Sequence, residues 1–334
     1  MSGVWTTIDF SQPGDQADFL RVPFSSDRSA YGWVPVPMFC LGSGAGPTAL
    51  LTAGTHGDEY EGQIILRRLL SLLRGRPIAG RVILLPALNQ PAVAAGLRNS
   101  PLDGGNLNRA FPGQPNAGVT AAIADYVTRV LFPLADLAID LHSGGGSLDY
   151  LPVAFAHAGR TVDHAQRTAR LLDSFAAPYS IVTNGRGGGG GSTLYGAAAA
   201  HGLPALTTEL GGGHGLSPDG VNIGLAGVLR VLRDFGVVPC LEAPPAKAPC
   251  RLSMQPPETT IYARAHGLLE PRVGPGTPVA AGDLAGFLHP LDDPATPPLP
   301  LTFSASGIVV FRRHPTLTAP GDALFGLAAE TLGG

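Results

Sequence analysis

The chain has little cysteine, little charge and a single lysine. Its three cysteines, Cys40, Cys240 and Cys250, are an odd and scattered set. They argue against a disulfide framework and against a cysteine-rich zinc site, and they fit thiols in a reducing compartment. Charged residues make up 14% of the 334 positions and the net charge is −3 at pH 7. Such a balance gives no general field for nucleic acid or for an anionic membrane. No apolar run approaches the roughly 18 residues of a membrane span. The N-terminus, Met1-Ser-Gly-Val-Trp-Thr, lacks the basic-then-apolar order of a signal peptide. A cytoplasmic protein that binds neither nucleic acid nor membrane is expected. The scarcity of lysine removes two further readings. The glycine run Gly187 to Gly191 has no lysine before Ser192, so it is not a phosphate loop and is expected as a loop near the site. No Gly-x-Ser-x-Gly elbow is present either, which weakens a serine hydrolase reading.

What the chain does have is apolar sequence punctuated by turns. Hydrophobic residues are 44%, with 46 glycines and 32 prolines. That content stops short of the roughly 25–30% Gly plus Pro that argues for disorder. Short apolar runs predict strands at 34–41, 48–53, 81–85, 137–141, 180–183 and 205–208. Helical periodicity predicts helices at 60–73, 91–97, 120–131, 161–175, 194–201 and 219–235. In the first helix Ile64, Ile65, Leu69, Leu72 and Leu73 share the expected core side. In the helix over 161–175, Leu171, Leu172 and Phe175 are expected inward. Strand and helix alternate, which predicts an α/β layer with a mostly parallel sheet. Residues 1–238 are expected as this catalytic layer. Residues 239–257 are proline-rich with little periodicity, and a linker is expected there. Residues 258–334 carry short β runs twice followed by Gly-Asp and a further apolar pair. They look like the two halves of a small β-barrel of the biotinyl/lipoyl type. Lys247, the one lysine, lies in the expected linker, so a carrier role is rejected and the barrel is read as structural.

His56 and Glu59 sit in the run Leu51-Thr-Ala-Gly-Thr-His-Gly-Asp-Glu-Tyr-Glu-Gly62, on the expected loop between a buried strand and a helix. That turn can aim an imidazole nitrogen and a carboxylate oxygen at one point. A catalytic zinc site uses three protein ligands and leaves a position open. His142, in Asp140-Leu-His-Ser-Gly144, also follows an apolar strand, and ligands in open α/β sheets gather at carboxyl ends of strands. A lone His-x-x-Glu is more often two surface residues. The second histidine at another strand end is what raises the metal reading.

Four motifs occur in a telling order: His56-Gly-Asp-Glu59, then Gly105-Asn-Leu-Asn-Arg-Ala-Phe-Pro-Gly113, then Asp140-Leu-His-Ser-Gly144, then Thr208-Glu-Leu-Gly-Gly212. In this the chain resembles the succinylglutamate desuccinylase/aspartoacylase family, a branch of the zinc carboxypeptidase-like fold. Ser25 to Tyr31 and Arg98 to Gly105 resemble most the ectoine-degradation deacetylases that act on N-acetyl-2,4-diaminobutyrate. The resemblance implies a mixed, mostly parallel sheet flanked by helices, and one zinc ion held by His56, Glu59 and His142. Such an ion would make water acidic enough to ionise near neutral pH and would polarise a carbonyl. The family pattern makes Glu209 the general base and acid. It places Asn108 and Arg109 at the substrate carboxylate, which a guanidinium fork suits, and Arg98 at the developing oxyanion. For either arginine the plain alternative is a surface ion pair of little worth. Asp58 and Asp140 flank the ligands, as orienting partners for imidazoles or as turn residues. His214 follows Glu209 in a glycine-rich loop and is a candidate to line the site. The remaining histidines, among them His157 and His164, are expected in the core or in solvent. The activity implied is hydrolysis of a small N-acylated amino acid at its amide bond. The alternatives are a metallocarboxypeptidase acting on peptide C-termini and a non-catalytic binding protein of the same fold. The sequence sets no oligomeric state.

Overall fold

The computed structural model describes residues 3–42, 44–184 and 190–331. Residues 187–189 of the glycine run therefore lie outside the described residues. The first part of the chain runs β1 (Gln16–Pro23), β2 (Trp33–Gly42), β3 (Thr48–Ala53), α1 (Tyr60–Leu73), β4 (Arg81–Leu85), α2 (Gln90–Ala95), α3 (Val119–Tyr126), β5 (Leu137–Leu141), β6 (Leu148–Tyr150) and β7 (Val153–His157). It continues through α4 (Val162–Phe175), β8 (Tyr179–Thr183), α5 (Leu194–His201), β9 (Ala205–Glu209) and α6 (Pro218–Asp234). The C-terminal strands are β10 (Cys250–Met254), β11 (Ile261–Tyr262), β12 (Gly267–Pro271), β13 (Pro278–Val279), β14 (Leu284–Pro290), β15 (Leu299–Thr302), β16 (Gly307–Arg313), β17 (Leu317–Thr318) and β18 (Ala323–Glu330).

The main sheet has the order β1-β2-β4-β3-β5-β9-β7-β8-β10-β18-β16-β13. Its centre is parallel: β3 pairs with β4 and β5, and β5 with β9. A second parallel group, β7-β8-β10, meets β9 antiparallel. The expected mixed, mostly parallel α/β sheet is therefore present. Apart from the parallel pairing of β10 with β8, the C-terminal strands pair antiparallel. Some extend the main sheet and others form a separate sheet, β15-β14-β12-β17. β10 falls inside the proline-rich stretch where a linker was expected, and it joins β8 to β18.

Burial explains why these runs became strands. All six residues of β3 are buried, as befits a strand covered on both faces. Ala49, Leu51 and Ala53 pack with α1, α4 and α6 on one side of the sheet. Leu50 packs with α3 and α5 on the other. Leu171, Leu172 and Phe175 are buried as expected. In α1 the buried stripe is Ile65, Leu66, Leu69 and Leu73, while Leu72 is 39% exposed. Leu72 lies one step round the helix from this stripe. Gly62 brings α1 close to the sheet, because a Cβ there would stand 2.5 Å from the Leu141 carbonyl oxygen.

Thr161 is the cap of α4, its hydroxyl accepting from the His164 N–H at 3.2 Å, not its first turn. The helix expected over 120–131 is regular only to Tyr126. It then widens into a π-turn at Val127–Leu131 and tightens into a 3₁₀ turn at Phe132–Leu134. Pro133 has no N–H to continue the ladder. Strands β1, β6 and β7 had no clear sequence signal. β1 and β6 are largely half-exposed, and β7 carries its apolar run next to a proline.

Candidate metal centre and active site

Three adjacent parallel strands end at one edge. In the registers of β3, β5 and β9, Ala53 lies opposite Leu141, and Asp140 opposite Thr207. The residues just beyond these ends are therefore brought together: His56 and Glu59 after β3, His142 after β5, and Glu209 at the end of β9. Gly54, at φ 68°, lets the chain turn out of β3, and Glu59 occupies the N-cap position of α1.

His56, Glu59 and His142 are all buried, and their candidate ligand atoms lie within 4.8 Å of one another. Both imidazoles turn Nδ1 to the same carboxylate. His56 Nδ1 is 2.7 Å from Glu59 Oε1, and His142 Nδ1 is 2.7 Å from Glu59 Oε2. The far nitrogens are already committed. His142 Nε2 meets Asp140 Oδ2 at 2.7 Å, and His56 Nε2 meets Asn106 Oδ1 at 3.1 Å. Asp140 is itself fixed, its Oδ1 accepting from the Thr52 and Thr55 hydroxyls at 2.7 and 2.9 Å. This arrangement fits a divalent transition metal. Two imidazoles with one nitrogen anchored and the other convergent, plus a carboxylate, are a zinc-type donor set.

The close packing of these groups ties their charges together. Burial pushes the Glu59 carboxyl up, but the imidazoles of His56 and His142 outweigh it and hold it below the usual range. Burial depresses His142, but Asp140 and Glu59 outweigh that and raise it well above the ordinary histidine value. Ligation needs each coordinating nitrogen deprotonated, so an ion bound here would displace the His142 proton.

Glu209 keeps one buried oxygen, Oε2, without a hydrogen-bond partner. Its pKa is raised to about 8, first by burial and then by the Glu59 charge, with His142 and Arg98 opposing and Glu61 adding. A positive ion at the cluster would work against the Glu59 contribution and draw this value down. Burial holds this carboxyl well above the usual carboxylate range, the kind of shift that suits a group exchanging protons near neutral pH.

Arg98 reaches the cluster directly, its Nη1 lying 3.3 Å from His56 Nδ1 and 3.5 Å from Glu59 Oε1. Arg109 donates to the Asn108 carbonyl at 2.7 Å. Desolvation and the neighbouring Arg98 charge both act against its own charge. Among the described residues no carboxylate pairs with Arg109, so it is not a surface ion pair within that set. Asn108 Oδ1 accepts from the Leu194 N–H at 3.0 Å, and its Nδ2 lies 3.5 Å from His142 Nε2. The two flanking aspartates divide. Asp140 orients an imidazole, whereas Asp58 accepts from the Gly146 N–H at 2.8 Å and serves the loop. His214 is exposed, at a left-handed φ of 57°, with its ring 5.9 Å from that of His314. His157 packs against Tyr195, the ring centroids 4.7 Å apart and the planes tilted by 34°, and His164 is buried.

Sequence reasoning missed three residues here. Asn106 lies in a motif that was noted, but nothing in the motif tells which asparagine meets His56. Tyr150 and Tyr195 both lie in electrostatic range of Glu209, and neither stands in a run whose period would mark it.

A model of the succinylglutamate desuccinylase/aspartoacylase catalytic domain matches residues 45–235. The chain belongs to that family. Members of this family are amide-hydrolysing deacylases, and this chain is an enzyme of that class. It is 39% identical to the N-α-acetyl-L-2,4-diaminobutyric acid deacetylase of Halomonas elongata, across 99% of this chain and 97% of that one. A product-bound structure of the ectoine utilization protein EutE (DoeB) from Ruegeria pomeroyi superposes with a TM-score of 0.93 at 37% identity, covering 98% of this chain and 99% of that one. A succinylglutamate desuccinylase/aspartoacylase from Rhodobacter sphaeroides reaches 0.91 at 35% identity, with coverage of 98% and 99%.

Proposed function

We propose that the protein is a zinc-dependent deacylase of N-acetylated amino acids, with N-acetyl-2,4-diaminobutyrate as its substrate. The observation that carries this reading is the meeting of a buried His-Glu-His cluster with the partnerless Glu209 oxygen at one sheet edge. The substrate is taken from the Halomonas elongata relative, which aligns over nearly its whole length. Three cysteines that form no disulfide fit a reducing compartment, so we place the enzyme in the cytoplasm. No described helix is long and apolar enough to cross a membrane.

His56, Glu59 and His142 would hold the ion, which when bound supplies Lewis acidity toward water and the amide carbonyl. Glu209 takes the proton of the attacking water as its oxygen bonds the acyl carbon. It returns that proton to the amide nitrogen as the carbon–nitrogen bond breaks, giving a carboxylic acid and a free amine. Arg98 faces the carbonyl oxygen as it becomes negative. Arg109, with the Asn108 amide, holds the carboxylate of the amino-acid part.

Amine release from acetyl, succinyl and aspartyl amides and from short peptides tests the reading. Acetyl amides of diamino acids should be the best substrates, and a preference for peptides would overturn it. The two arginines should separate kinetically. Arg109 meets a carboxylate that is charged before and during the reaction, so Arg109→Ala should mainly raise KM. Arg109→Lys should recover little, because a point charge lacks the fork. Arg98 meets charge that develops only during reaction, so Arg98→Ala should lower kcat by roughly 10² to 10³. Steady-state kinetics giving both variants one pattern, or the reverse pattern, would refute these roles.

A further inference from the structure

Tyr150 has no task in the mechanism above, yet its surroundings are unusual for a tyrosine. Its strand, β6, is held from both sides. The Tyr150 N–H donates to the Gly211 carbonyl at 3.3 Å, in the loop just after Glu209. On the other side β6 pairs antiparallel with β16, with Tyr150 opposite Phe311. The two rings pack at 5.4 Å between centroids, tilted by 47°. The Leu151 N–H donates to the Val310 carbonyl at 3.0 Å, and Arg312 reaches Asp149 at 3.4 Å. A C-terminal strand, some 160 residues further along the chain, thus fixes the position of Tyr150.

The hydroxyl differs from the backbone in this respect. Among the described residues no group hydrogen-bonds it, and it is not one of the sealed, partnerless polar atoms. A phenol in a crowded site normally has a partner, so this one is open to water or to a ligand. Its backbone bond to Gly211, two residues after Glu209, and the bridge between Asp149 and Gly212 set Tyr150 beside the loop that leaves Glu209, and Glu209, Arg98, Glu59 and Tyr195 all act on its phenol. Burial pushes the phenol above the ordinary tyrosine range and Glu209 adds to that, so it keeps its proton and can donate. Among the described residues it has no bonded acceptor. A bound amide brings one.

We propose that Tyr150 is a substrate-contacting residue whose hydroxyl donates a hydrogen bond to the acyl carbonyl oxygen beside Arg98, held in place by β16. This rests on the deacylase reading. It also gives the C-terminal strands a part in the reaction: they set the position of a donor that the catalytic layer alone does not fix.

Tyr150→Phe removes the hydroxyl and leaves the ring on Phe311. Zinc content and melting temperature should stay at the wild-type values. With N-acetyl-2,4-diaminobutyrate, kcat should fall about 10-fold to 100-fold, less than for a sole oxyanion donor because Arg98 remains. KM should change little, since the bond strengthens as the oxygen gains charge. Wild-type kcat in this variant, or a loss confined to KM, would overturn the proposal. The role of β16 is read from a double-mutant cycle with Phe311→Leu. That change should lower kcat in the wild-type background and have little further effect in Tyr150→Phe. Full additivity would remove β16 from the account. A wild-type enzyme that cleaves no amide would remove the deacylase reading and this proposal together, whereas an active wild type with an unaffected Tyr150→Phe removes this proposal alone.

Discussion

Replacing Glu209 by Gln should lower kcat by roughly two to four orders of magnitude while metal content and KM stay near the wild-type values. The amide keeps the shape of the side chain at the end of β9 but cannot take up and return a proton. Glu209 is not among the convergent donors His56, Glu59 and His142. Its Oε2 is buried without a partner, so the substitution breaks no hydrogen bond at that oxygen. Kinetics and metal analysis on the same preparation decide the point. Near-normal turnover would take Glu209 out of the mechanism, and loss of metal would make it a ligand.

His142→Ala should be the more severe change. It removes one of three donors and leaves two carboxylates, Glu59 Oε2 and Asp140 Oδ2, without the imidazole each now meets at 2.7 Å. Buried carboxylates deprived of their partner are costly, so the melting temperature should fall as well. Metal bound to the purified protein should drop from one equivalent towards none, and turnover with it, by more than roughly 10³-fold if the ion supplies several kcal/mol. Full metal occupancy in this variant would show that the ion is held elsewhere. His56→Ala should lose metal for the same reason. Its far nitrogen meets the neutral Asn106 side chain, and Glu59 Oε1 would still have Arg98 at 3.5 Å, so it should be the less destabilising of the two.

The parts of this site that were legible in the sequence are those with local causes. The strand at Thr48–Ala53 and the helix at Tyr60–Leu73 lie where the apolar run and the 3.6-residue period put them, so His56 and Glu59 could be placed on the turn between them. His142 was legible for the same reason, one residue beyond the end of the apolar strand Leu137–Leu141. That the two turns meet was not local information. It follows from β3 and β5 being neighbours in the sheet, which ordered motifs suggest and periodicity does not. Leu72 went astray because five leucines and isoleucines cannot all share one stripe, and contact with the sheet chose Leu66 instead. Asn106 and Tyr150 were illegible in a deeper sense. The role of Asn106 is fixed by which of two asparagines, two residues apart, reaches a histidine 50 residues earlier. The setting of Tyr150 depends on pairing with Phe311, in a strand whose own sequence says only that it is apolar.

The most direct test of the account is acetate release from N-acetyl-2,4-diaminobutyrate by the wild-type enzyme before chelation, after chelation, and after one equivalent of zinc is restored. The account predicts turnover that is lost on chelation and recovered at one zinc per chain. Turnover that survives complete removal of metal, or no hydrolysis of this amide by the zinc-loaded enzyme, would contradict it.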